Sequence, residues 1–443
     1  MTDGAGRVAA LILAAGKGTR FKSRTPKVLH ALCGRPLLEH SLAAAEAMAP
    51  QRLLLVVGNG AEQVREVFAG RAEFVSQAEQ RGTGHAVLQC QPQLEGFRGD
   101  VLILYGDTPL LRGETLERLV RHKARTRADL VLLSAVVDVP GIVIRDAAGD
   151  VARIVEVPDA TPEELQIAER NTGVYLVGAA LLWKLLAQVD DHNAQGEIYL
   201  TDIVELAVRE RCRVEALSLE DAQEAQGVNS RGQLAKAARI MRGRILDRLM
   251  EQGVSIVDPA STYIDAGVEV GADTLIEPGC AIQGASRIGS GVHLKPQCTI
   301  ESSAVGDDVE MGPCAHLRPG CSIGNGCRIG NFVEVKNSVL GEGVKADHLS
   351  YVGDADVGAR ASFGCGAVVV NYDGVAKHRT TVGERAFIGC NANLIAPVVV
   401  ESDAYVAAGS TITSSVPSEA LGVARARQRN IKGWVTRRGR KRE

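Results

Sequence analysis

The carboxyl-terminal half of the chain repeats an aliphatic residue at every sixth position. The series runs Ile264, Val270, Ile276, Ile282, Ile288, Leu294, Ile300, then Val305, Met311, Leu317, Ile323, Ile329, Val335, and later Val382, Ile388, Leu394, Val400, Val406, Ile412. A period of six fits neither an α-helix nor one alternating strand, but it fits a coil of three short strands in which each hexad buries one aliphatic side chain. The pattern predicts a left-handed parallel β-helix, a prism with about 18 residues per coil.

The amino-terminal half has a different pattern, in which short apolar runs alternate with amphipathic stretches. The predicted strands are 8–13, 53–57, 101–105, 130–137 and 172–177, and the predicted helices are 35–48, 113–126 and 179–188. Such alternation indicates βαβ units, a mainly parallel Rossmann-like sheet and a ligand site at the carboxyl ends of the strands. Residues 231–251 predict a connecting helix. The predicted domains are therefore 1–230 and 252–443, joined by that helix.

Composition narrows the class of protein. The chain has 443 residues, 45% of them hydrophobic and only 4% aromatic, which predicts large domains with aliphatic cores. A net charge of −3 gives no overall field that favours nucleic acid or a membrane surface. The ten cysteines form no CxxC pair, the start lacks the features of a signal peptide, and no apolar stretch is long enough to span a membrane. We expect a cytoplasmic protein without membrane insertion.

The first candidate for chemistry is the glycine-rich segment Leu13-Ala14-Ala15-Gly16-Lys17-Gly18-Thr19-Arg20, which follows the first predicted strand. Bare backbone N–H groups in such a turn can approach phosphate oxygens, and Arg20 adds a fixed charge. Taken alone, the segment could equally be an ordinary tight turn. Lys27, placed just after the turn on a rigid Thr25-Pro26 step, favours a phosphate site.

These residues together resemble the signature of sugar-1-phosphate nucleotidylyltransferases. Residues 77–86 (QAEQRGTGHA) are similar to the loop that reads uracil in that family, and residues 105–110 (YGDTPL) are similar to the strand end that carries a metal-binding aspartate. Asp107 could otherwise be a helix cap or turn residue. Beside a phosphate loop, however, an oxygen ligand for Mg²⁺ is expected, because the sugar phosphate and the nucleotide triphosphate repel each other.

Joined to a hexapeptide β-helix, this half makes the whole chain resemble the bacterial family of bifunctional N-acetylglucosamine-1-phosphate uridyltransferases/glucosamine-1-phosphate acetyltransferases. The resemblance implies acetylation of glucosamine 1-phosphate by acetyl-CoA, followed by transfer of UMP from UTP with release of pyrophosphate. It also implies Mg²⁺ on Asp107 and Asn229, and a homotrimer formed through the β-helix. The residues implied to hold the nucleotide and sugar are Leu13, Ala14, Ala15, Gly16, Lys27, Gln77, Gly82, Thr83, Tyr105, Gly106, Asp107, Gly141, Glu156, Asn171 and Asn229, with Arg20 and Lys27 catalytic.

The second predicted site lies in the β-helix. Acetylation of an amine by a thioester needs a base for the amine proton and cations for the sugar phosphate. Residues 345–351 (KADHLSY) break the hexad register, and such breaks are where a solenoid places special residues. His348 in this segment supplies an imidazole, the side chain most often used as a base near neutral pH. A lone histidine in a loop is more often structural, but the resemblance favours catalysis. It further implies Arg318, Lys336, Tyr351, Asn371, Tyr372 and Lys377 at glucosamine 1-phosphate, and Ser362, Cys365, Cys390, Ala408 and Arg425 at acetyl-CoA.

The chain departs from the family pattern at several of these positions. Ser362 replaces an asparagine, Cys365 an alanine, and Cys390 a serine that is thought to polarise the reacting groups. Since a thiol is a poor hydrogen-bond donor, we expect weakened but not lost acetyl transfer. The loop at Gly141 is about three residues shorter than the family's and lacks its arginine, so whether it still closes on the sugar is open.

Two other functions fit parts of the sequence. The first is a monofunctional nucleotidylyltransferase whose β-helix serves only assembly or regulation. The second is a catalytically silent binding subunit, which intact Gly16, Arg20, Lys27 and Asp107 argue against. A basic run at 437–442 could suggest nucleic acid, but a solvated tail is the more economical interpretation for an acidic chain, and we expect no nucleic-acid partner.

Overall fold

The computed structural model describes residues 7–439. The expectations stated above for the first residues and for the basic run at 437–442 lie partly or wholly outside these residues. The chain forms two compact units that divide between Met241 and Arg242, inside the helix Arg231–Glu251. Within 7–439, no helix is both long and apolar enough to cross a membrane.

The amino-terminal unit is built on one mixed sheet. Within the described chain its strands are Val8–Leu13, Arg52–Val57, Glu73–Ser76, Asp100–Tyr105, Leu130–Val136, Ile142–Arg145, Val151–Val155, Glu169–Gly178 and Val214–Ser218. Val8–Leu13 is central and pairs in parallel with Arg52–Val57 and Asp100–Tyr105. The predicted strand 172–177 is longer than expected and runs antiparallel to both neighbours, so the sheet is not purely parallel.

Helices cover both faces of this sheet. They are Leu37–Glu46, Ala61–Val67, Thr83–Leu88, Gly113–Thr126, Ala179–Leu186 and Asp202–Arg209, with short 3-10 turns at Thr19–Phe21, Lys27–Leu29, Pro92–Leu94, Val157–Asp159, Glu164–Gln166 and Ala222–Ala225, and a small hairpin of Ala31–Leu32 and Arg35–Pro36. All six residues of the central strand are buried, Leu11 toward one apolar layer and Ile12 toward the other. Because the strand is buried on both sides, all of its residues are apolar and its sequence shows no alternation with polar residues.

The carboxyl-terminal unit is a prism of three parallel sheets, and the left-handed parallel β-helix predicted from the hexads is confirmed. The first face contains Ser255–Ile256, Leu275–Ile276, His293–Leu294, Glu310–Met311, Arg328–Asn331, Lys345–His348, Ser362–Phe363, Phe387–Ile388, Tyr405–Val406 and Leu421–Gly422. The second face contains Tyr263–Ile264, Ala281–Gln283, Thr299–Glu301, His316–Leu317, Glu334–Lys336, Tyr351–Gly353, Val368–Val370, Asn393–Ile395 and Thr411–Ile412. The third face contains Glu269–Val270, Arg287–Ile288, Ala304–Val305, Ser322–Ile323, Val339–Leu340, Ala355–Val357, Thr380–Val382 and Val399–Val400; a short helix, Trp434–Arg437, follows the prism.

The hexad residues form the interior of the prism, and all of the predicted ones except the partly exposed Val270 are buried. The apparent gap in the series is filled by Leu340, Ala346, Val352, Val357, Phe363 and Val369, which are also buried. The prediction that residues 345–351 interrupt the repeat was wrong. Ala346 pairs in register with Ile329 and Phe363, and it escaped notice because its side chain is small.

The corners of the prism are turned by residues in the left-handed backbone region. At the first corner, between the first and second faces, these include Phe332 (φ 55°) and Leu349 (φ 47°). At the second corner, between the second and third faces, they include Asn337 (φ 45°) and Asp354 (φ 49°). The largest interruption of the coil is the segment 371–379, between Val368–Val370 and Thr380–Val382. The first and second corners carry the predicted acetyl-transfer residues.

Candidate active sites

The predicted phosphate loop leaves the central strand at Leu13 and is fixed against the next strand by a hydrogen bond from Ala14 N to Val56 O (2.8 Å). Gly18 has φ 60°, and a Cβ added there would lie 2.8 Å from Lys27 Cβ. A side chain at Gly18 would therefore displace Lys27. A Cβ on Gly16 would meet no atom within 4 Å, so that part of the loop is open to a ligand.

A cavity of about 410 Å³ opens beside this loop. Of the residues predicted to hold the nucleotide and sugar, it is lined by Leu13, Ala14, Ala15, Gly16, Lys27, Gln77, Gly82, Thr83, Tyr105 and Asp107. Gly106 acts through its backbone: its N–H donates to Leu13 O (2.9 Å), and its missing side chain leaves room for Leu38. The cavity is large enough for a nucleotide base and ribose.

The predicted uracil loop forms one edge of this cavity and is held in place by residues far along the chain. Gln77 is buried, and its Nε2 donates to Gly82 O (3.1 Å). Gly82 has φ 107°, and an added Cβ would lie 2.5 Å from Ile198 O. Leu200 N donates to Thr83 Oγ1 (3.1 Å). The loop is thus a fixed edge on which a base can be read.

A second cavity, of about 490 Å³, adjoins the first and shares Thr83, Tyr105 and Asp107 with it. Its lining includes the predicted Arg20, Glu156, Asn171 and Asn229. Gly141 (φ 82°) is not part of that lining; its carbonyl accepts a hydrogen bond from Asn171 N (2.8 Å), and the preceding residue, Pro140, faces the cavity. The adjoining cavities suit a nucleotide and a sugar phosphate lying end to end.

Glu156, which lines the second cavity, and Asp202, whose charge acts on Glu156, have raised pKa values. Burial raises the pKa of Glu156, and the nearby charge of Asp202 adds to the effect. Burial, together with Glu205, raises the pKa of Asp202 to about 6. Burial likewise raises the pKa of Tyr105, whose phenol stays neutral. Carboxylates with reduced hydration are good acceptors for sugar hydroxyl groups.

The predicted metal ligands meet at the junction of the two cavities. Val228 N donates to Asp107 O (2.8 Å), which brings the chain just before the long helix against the end of strand Asp100–Tyr105. Lys27 Nζ donates to Asp107 Oδ2 and to Asn229 Oδ1 (2.8 Å). The two side-chain oxygens thus share one cation-binding point, at present held by the lysine ammonium.

In the prism, His348 ends a strand of the first face and is exposed at the first corner. Its Nδ1 lies 2.7 Å from Asn331 Oδ1, and because an amide oxygen only accepts, Nδ1 carries the hydrogen. Register places Cys365, Cys390 and Ala408 at the equivalent position of the next coils, two residues beyond the paired Phe363, Ile388 and Val406. His348 stands two residues beyond Ala346, which pairs with Phe363, so it belongs to the same column.

The predicted phosphate-binding cations lie at the second corner. The close ammonium of Lys377 lowers the pKa of Lys336, with a further contribution from Arg318. Arg318 also forms an ion pair with Glu334 (3.1 Å). Asn371 is buried and donates to Tyr351 OH (3.3 Å). A bound dianion would stabilise the charged form of Lys336 beside these neighbouring cations, so this cluster suits a phosphate monoester.

The remaining predicted residues lie near these corners but make fewer contacts. Tyr372 is exposed in segment 371–379, where its hydroxyl donates to Gly374 O (2.7 Å). Ser362 pairs with Phe387 on the first face. Arg425 is exposed beyond the last strand, Leu421–Gly422.

Sequence reasoning missed several residues that hold these sites in shape. Gly173 has φ 82°, and an added Cβ would lie 2.3 Å from Tyr105 Cε2. Asn331 fixes the His348 ring, and Asp354 accepts from Asn371 Nδ2 (2.5 Å). Asn331 and Asp354 belong to no sequence motif that signals function, because their roles depend on hydrogen bonds between neighbouring coils.

The architecture and cavities define a nucleotidyltransferase joined to a hexapeptide-repeat transferase. Residues 10–202 match the family of MobA-like NTP transferase domains, and residues 302–337 match the bacterial transferase hexapeptide (six repeats). A bifunctional protein GlmU from Pelobacter propionicus is 47% identical over 97% of this chain and 98% of its own length. Those from Thermoanaerobacter pseudethanolicus and Listeria monocytogenes are 46% and 45% identical over 97% and 96% of this chain, each with 97% of its own length covered.

The chain belongs to the bifunctional GlmU family. This membership confirms the resemblance found in the sequence, and it favours an enzyme with two transferase activities over the monofunctional alternative.

Proposed function

We propose that this enzyme makes UDP-N-acetylglucosamine by acetylating glucosamine 1-phosphate with acetyl-CoA and then transferring UMP from UTP to the product. Uridyl transfer is supported above all by the pair of adjoining cavities, which have Lys27, Asp107 and Asn229 at their junction. We assign the two reactions to residues 1–230 and 252–443, connected by the helix 231–251, and we place the enzyme in the cytoplasm.

The junction of the cavities fits a divalent cation, for which Mg²⁺ is our proposal. The donor set is one carboxylate oxygen and one amide oxygen, both hard ligands that Mg²⁺ prefers. Within residues 7–439 no group of three or more His, Cys, Asp and Glu side chains could hold a metal, so substrate phosphates would complete the coordination. When bound, the ion would neutralise charge shared between the two phosphate groups.

The protein's own residues then orient the reactants. Lys27 leaves the oxygens of Asp107 and Asn229 and turns to the triphosphate, and Arg20, which lines the adjoining cavity, turns to it as well. Backbone N–H groups of the loop at Gly16 bind phosphate oxygens. The sugar phosphate attacks the α-phosphorus of UTP in line, and the two cationic side chains stabilise the charge that develops on pyrophosphate. No covalent enzyme intermediate is needed.

For acetyl transfer, His348 is the proposed base. Because Nδ1 donates to Asn331, Nε2 is left with its lone pair free to accept the amine proton as the amine attacks the thioester. Lys336, Lys377 and Arg318 hold the phosphate of the sugar. Cys390 lies where the family has a hydroxyl, so we propose slower transfer than in relatives with serine there.

We propose a homotrimer, and the position of these groups supports a site that is shared between copies. His348 belongs to the first corner, whereas Lys336 ends a strand of the second face and lies at the second corner. Three residues of strand, at about 3.3 Å each, separate the corners, and further residues turn them. Since the amine and phosphate of one sugar are closer than that, we propose that the base of one copy works with the cations of another, with acetyl-CoA bound between copies.

The test uses purified protein with glucosamine 1-phosphate, acetyl-CoA, UTP and Mg²⁺, measuring free thiol and pyrophosphate separately while each substrate is omitted in turn. We expect both products, with pyrophosphate dependent on acetyl-CoA unless N-acetylglucosamine 1-phosphate is supplied. Pyrophosphate only from the preacetylated sugar would mean that the changes at Ser362 and Cys390 have abolished acetyl transfer. Failure to bind UTP with Mg²⁺ would contradict the proposal as a whole.

A further inference from the structure

Asp354 is a buried acid at the second corner that the mechanism above does not use. It turns the chain between strands Tyr351–Gly353 and Ala355–Val357 with φ 49°, and it is only 6% exposed. Burying a carboxylate costs free energy unless it is hydrogen-bonded and paired. Its partners therefore indicate what the residue does.

Both oxygens of Asp354 accept hydrogen bonds from side-chain amides. Asn337 Nδ2 donates to Oδ1 (2.5 Å), and Asn371 Nδ2 donates to Oδ2 (2.5 Å). Asn371 Nδ2 also lies 3.3 Å from Tyr351 OH, so both of its hydrogens have partners. Because an ionised carboxylate only accepts, the amide of Asn371 can face Asp354 through its NH2 group alone.

Charges around Asp354 keep it ionised. Burial raises its pKa, but the hydrogen bonds from Asn337 and Asn371 and the nearby ammonium groups of Lys336 and Lys377 outweigh burial, and the net shift is downward. The charge of Asp354 in turn contributes to the raised pKa of Arg379. The acceptor-only state of the carboxylate thus holds throughout the neutral pH range.

We propose that Asp354 is a positioning residue for acetyl transfer, which fixes the Asn371 amide so that its Oδ1 faces the amine of the substrate. No group among residues 7–439 donates a hydrogen bond to Asn371 Oδ1. A neutral amine has two N–H bonds and one lone pair, and an N–H held by this oxygen directs the lone pair toward the acetyl carbon. The proposal rests on the acetyltransferase activity proposed above.

The first test is Asp354→Asn. Asparagine tolerates the left-handed backbone, so the corner can be kept, but its amide can donate as well as accept. Asn371 is then free to turn its NH2 toward the substrate amine. We expect kcat/KM for glucosamine 1-phosphate to fall about tenfold, as expected for the loss of a charge-assisted hydrogen bond. Asp308→Asn is the matched control, because Asp308 is exposed at another corner with φ 54°.

A double-mutant cycle separates positioning from a general role in folding. If Asp354 acts through Asn371, then Asp354→Asn should have less than about threefold further effect in an Asn371→Ala background. Effects that multiply, or an Asp354→Asn enzyme within about twofold of the parent, would overturn the proposal. Pyrophosphate release from UTP and N-acetylglucosamine 1-phosphate, measured on the same samples, reports whether the amino-terminal unit is folded and gives the amount of enzyme, while thermal unfolding reports on the prism.

The two proposals fail in different ways. If the parent enzyme releases no free thiol with glucosamine 1-phosphate and acetyl-CoA, the acetyltransferase assignment fails. If the parent is active and the cycle shows no coupling between Asp354 and Asn371, only the positioning role fails. Thermal unfolding of each variant completes the comparison, because a purely structural residue would lower the melting temperature without coupling to Asn371 in kcat/KM.

Discussion

The two candidate sites gather their residues in opposite ways. In the amino-terminal unit, strands from distant parts of the sequence end at one edge of a sheet, so Lys27, Asp107 and Asn229 meet in one chain. In the prism, each coil stacks on the one before it, so equivalent positions form columns along a corner. His348 stays in one column while Lys336 stays beside another.

This difference shows that residues at two different corners of a solenoid cannot come together within one chain. A sheet with crossover helices can close a complete pocket, because its loops converge at the carboxyl ends of the strands. A prism presents separate edges, and a site that needs two of them is completed by a second copy. The uridyl-transfer site should therefore work within one chain, and the acetyl-transfer site should need an assembly.

The largest effect expected is from Asp107→Ala. Loss of the carboxylate removes one of two side-chain oxygens at the cavity junction, and pyrophosphate release should fall at least about 10³-fold. Acetyl transfer, measured as free thiol on the same sample, should stay within about twofold of the parent because it lies in the other unit. Equal loss of both activities would contradict independent sites.

The next largest effect is expected from His348→Ala, which should impair acetyl transfer and spare uridyl transfer. Removing the base should lower acetyl transfer about 10²- to 10³-fold while leaving pyrophosphate release unchanged. Asn331→Ala should give a smaller loss, since it frees the His348 ring to take the other tautomer. An unchanged acetyl-transfer rate for His348→Ala would mean that another group removes the amine proton.

A smaller effect is expected on the affinity of the Asp107 and Asn229 oxygens for a divalent cation. Because Lys27 Nζ is bonded to both oxygens, it competes with a divalent ion. Lys27→Met should therefore increase the affinity for Mn²⁺ without nucleotide about tenfold, seen by electron paramagnetic resonance, even though uridyl transfer falls. Arg35→Met, a charge change outside the cavities, is the control. Weaker Mn²⁺ binding by Lys27→Met would show that the lysine does not compete.

The smallest effect is on stability. Burial raises the pKa of Asp202 to about 6, so its ionised form opposes folding above that pH. This destabilisation of the folded state is lost as the pH falls through about 6 toward the pKa of Asp202 in the unfolded chain. Asp202→Asn should raise the melting temperature of the amino-terminal unit at pH 8 by about 2–4 °C, and should make no difference near pH 4. A gain of the same size at both pH values would exclude this cause.

Much of the fold could be predicted from the sequence, because its two halves have clear and different periods. The hexads identified the prism and most of its interior, and the helix 231–251 has the observed bounds. The antiparallel direction of Glu169–Gly178 and the continuity of the coil through Ala346 were not predicted. Strand direction depends on the whole sheet, and a small interior residue leaves no mark on a search for large aliphatics.

The candidate sites were predictable where one segment carries several functional residues, as at residues 13–27. Supporting residues were harder to find, because their partners lie in another coil or another strand. Asp354 is a common turn residue by itself, and only its contacts with Asn337 and Asn371 set it apart. Likewise, the separation of His348 from Lys336 depends on which corner each occupies, which sequence spacing alone does not give.

The most direct test of the central claim is complementation between two inactive variants. His348→Ala keeps the cations, and Lys336→Ala/Lys377→Ala keeps the base; the two are unfolded together, refolded at equal amounts and assayed for free thiol. If the site forms between copies, acetyl transfer should return to about a quarter of the parent rate, the chance that an intact base meets intact cations in a mixed ring. If the rate stays at the sum of the two separate variants, each chain carries a complete acetyl-transfer site and the account is wrong.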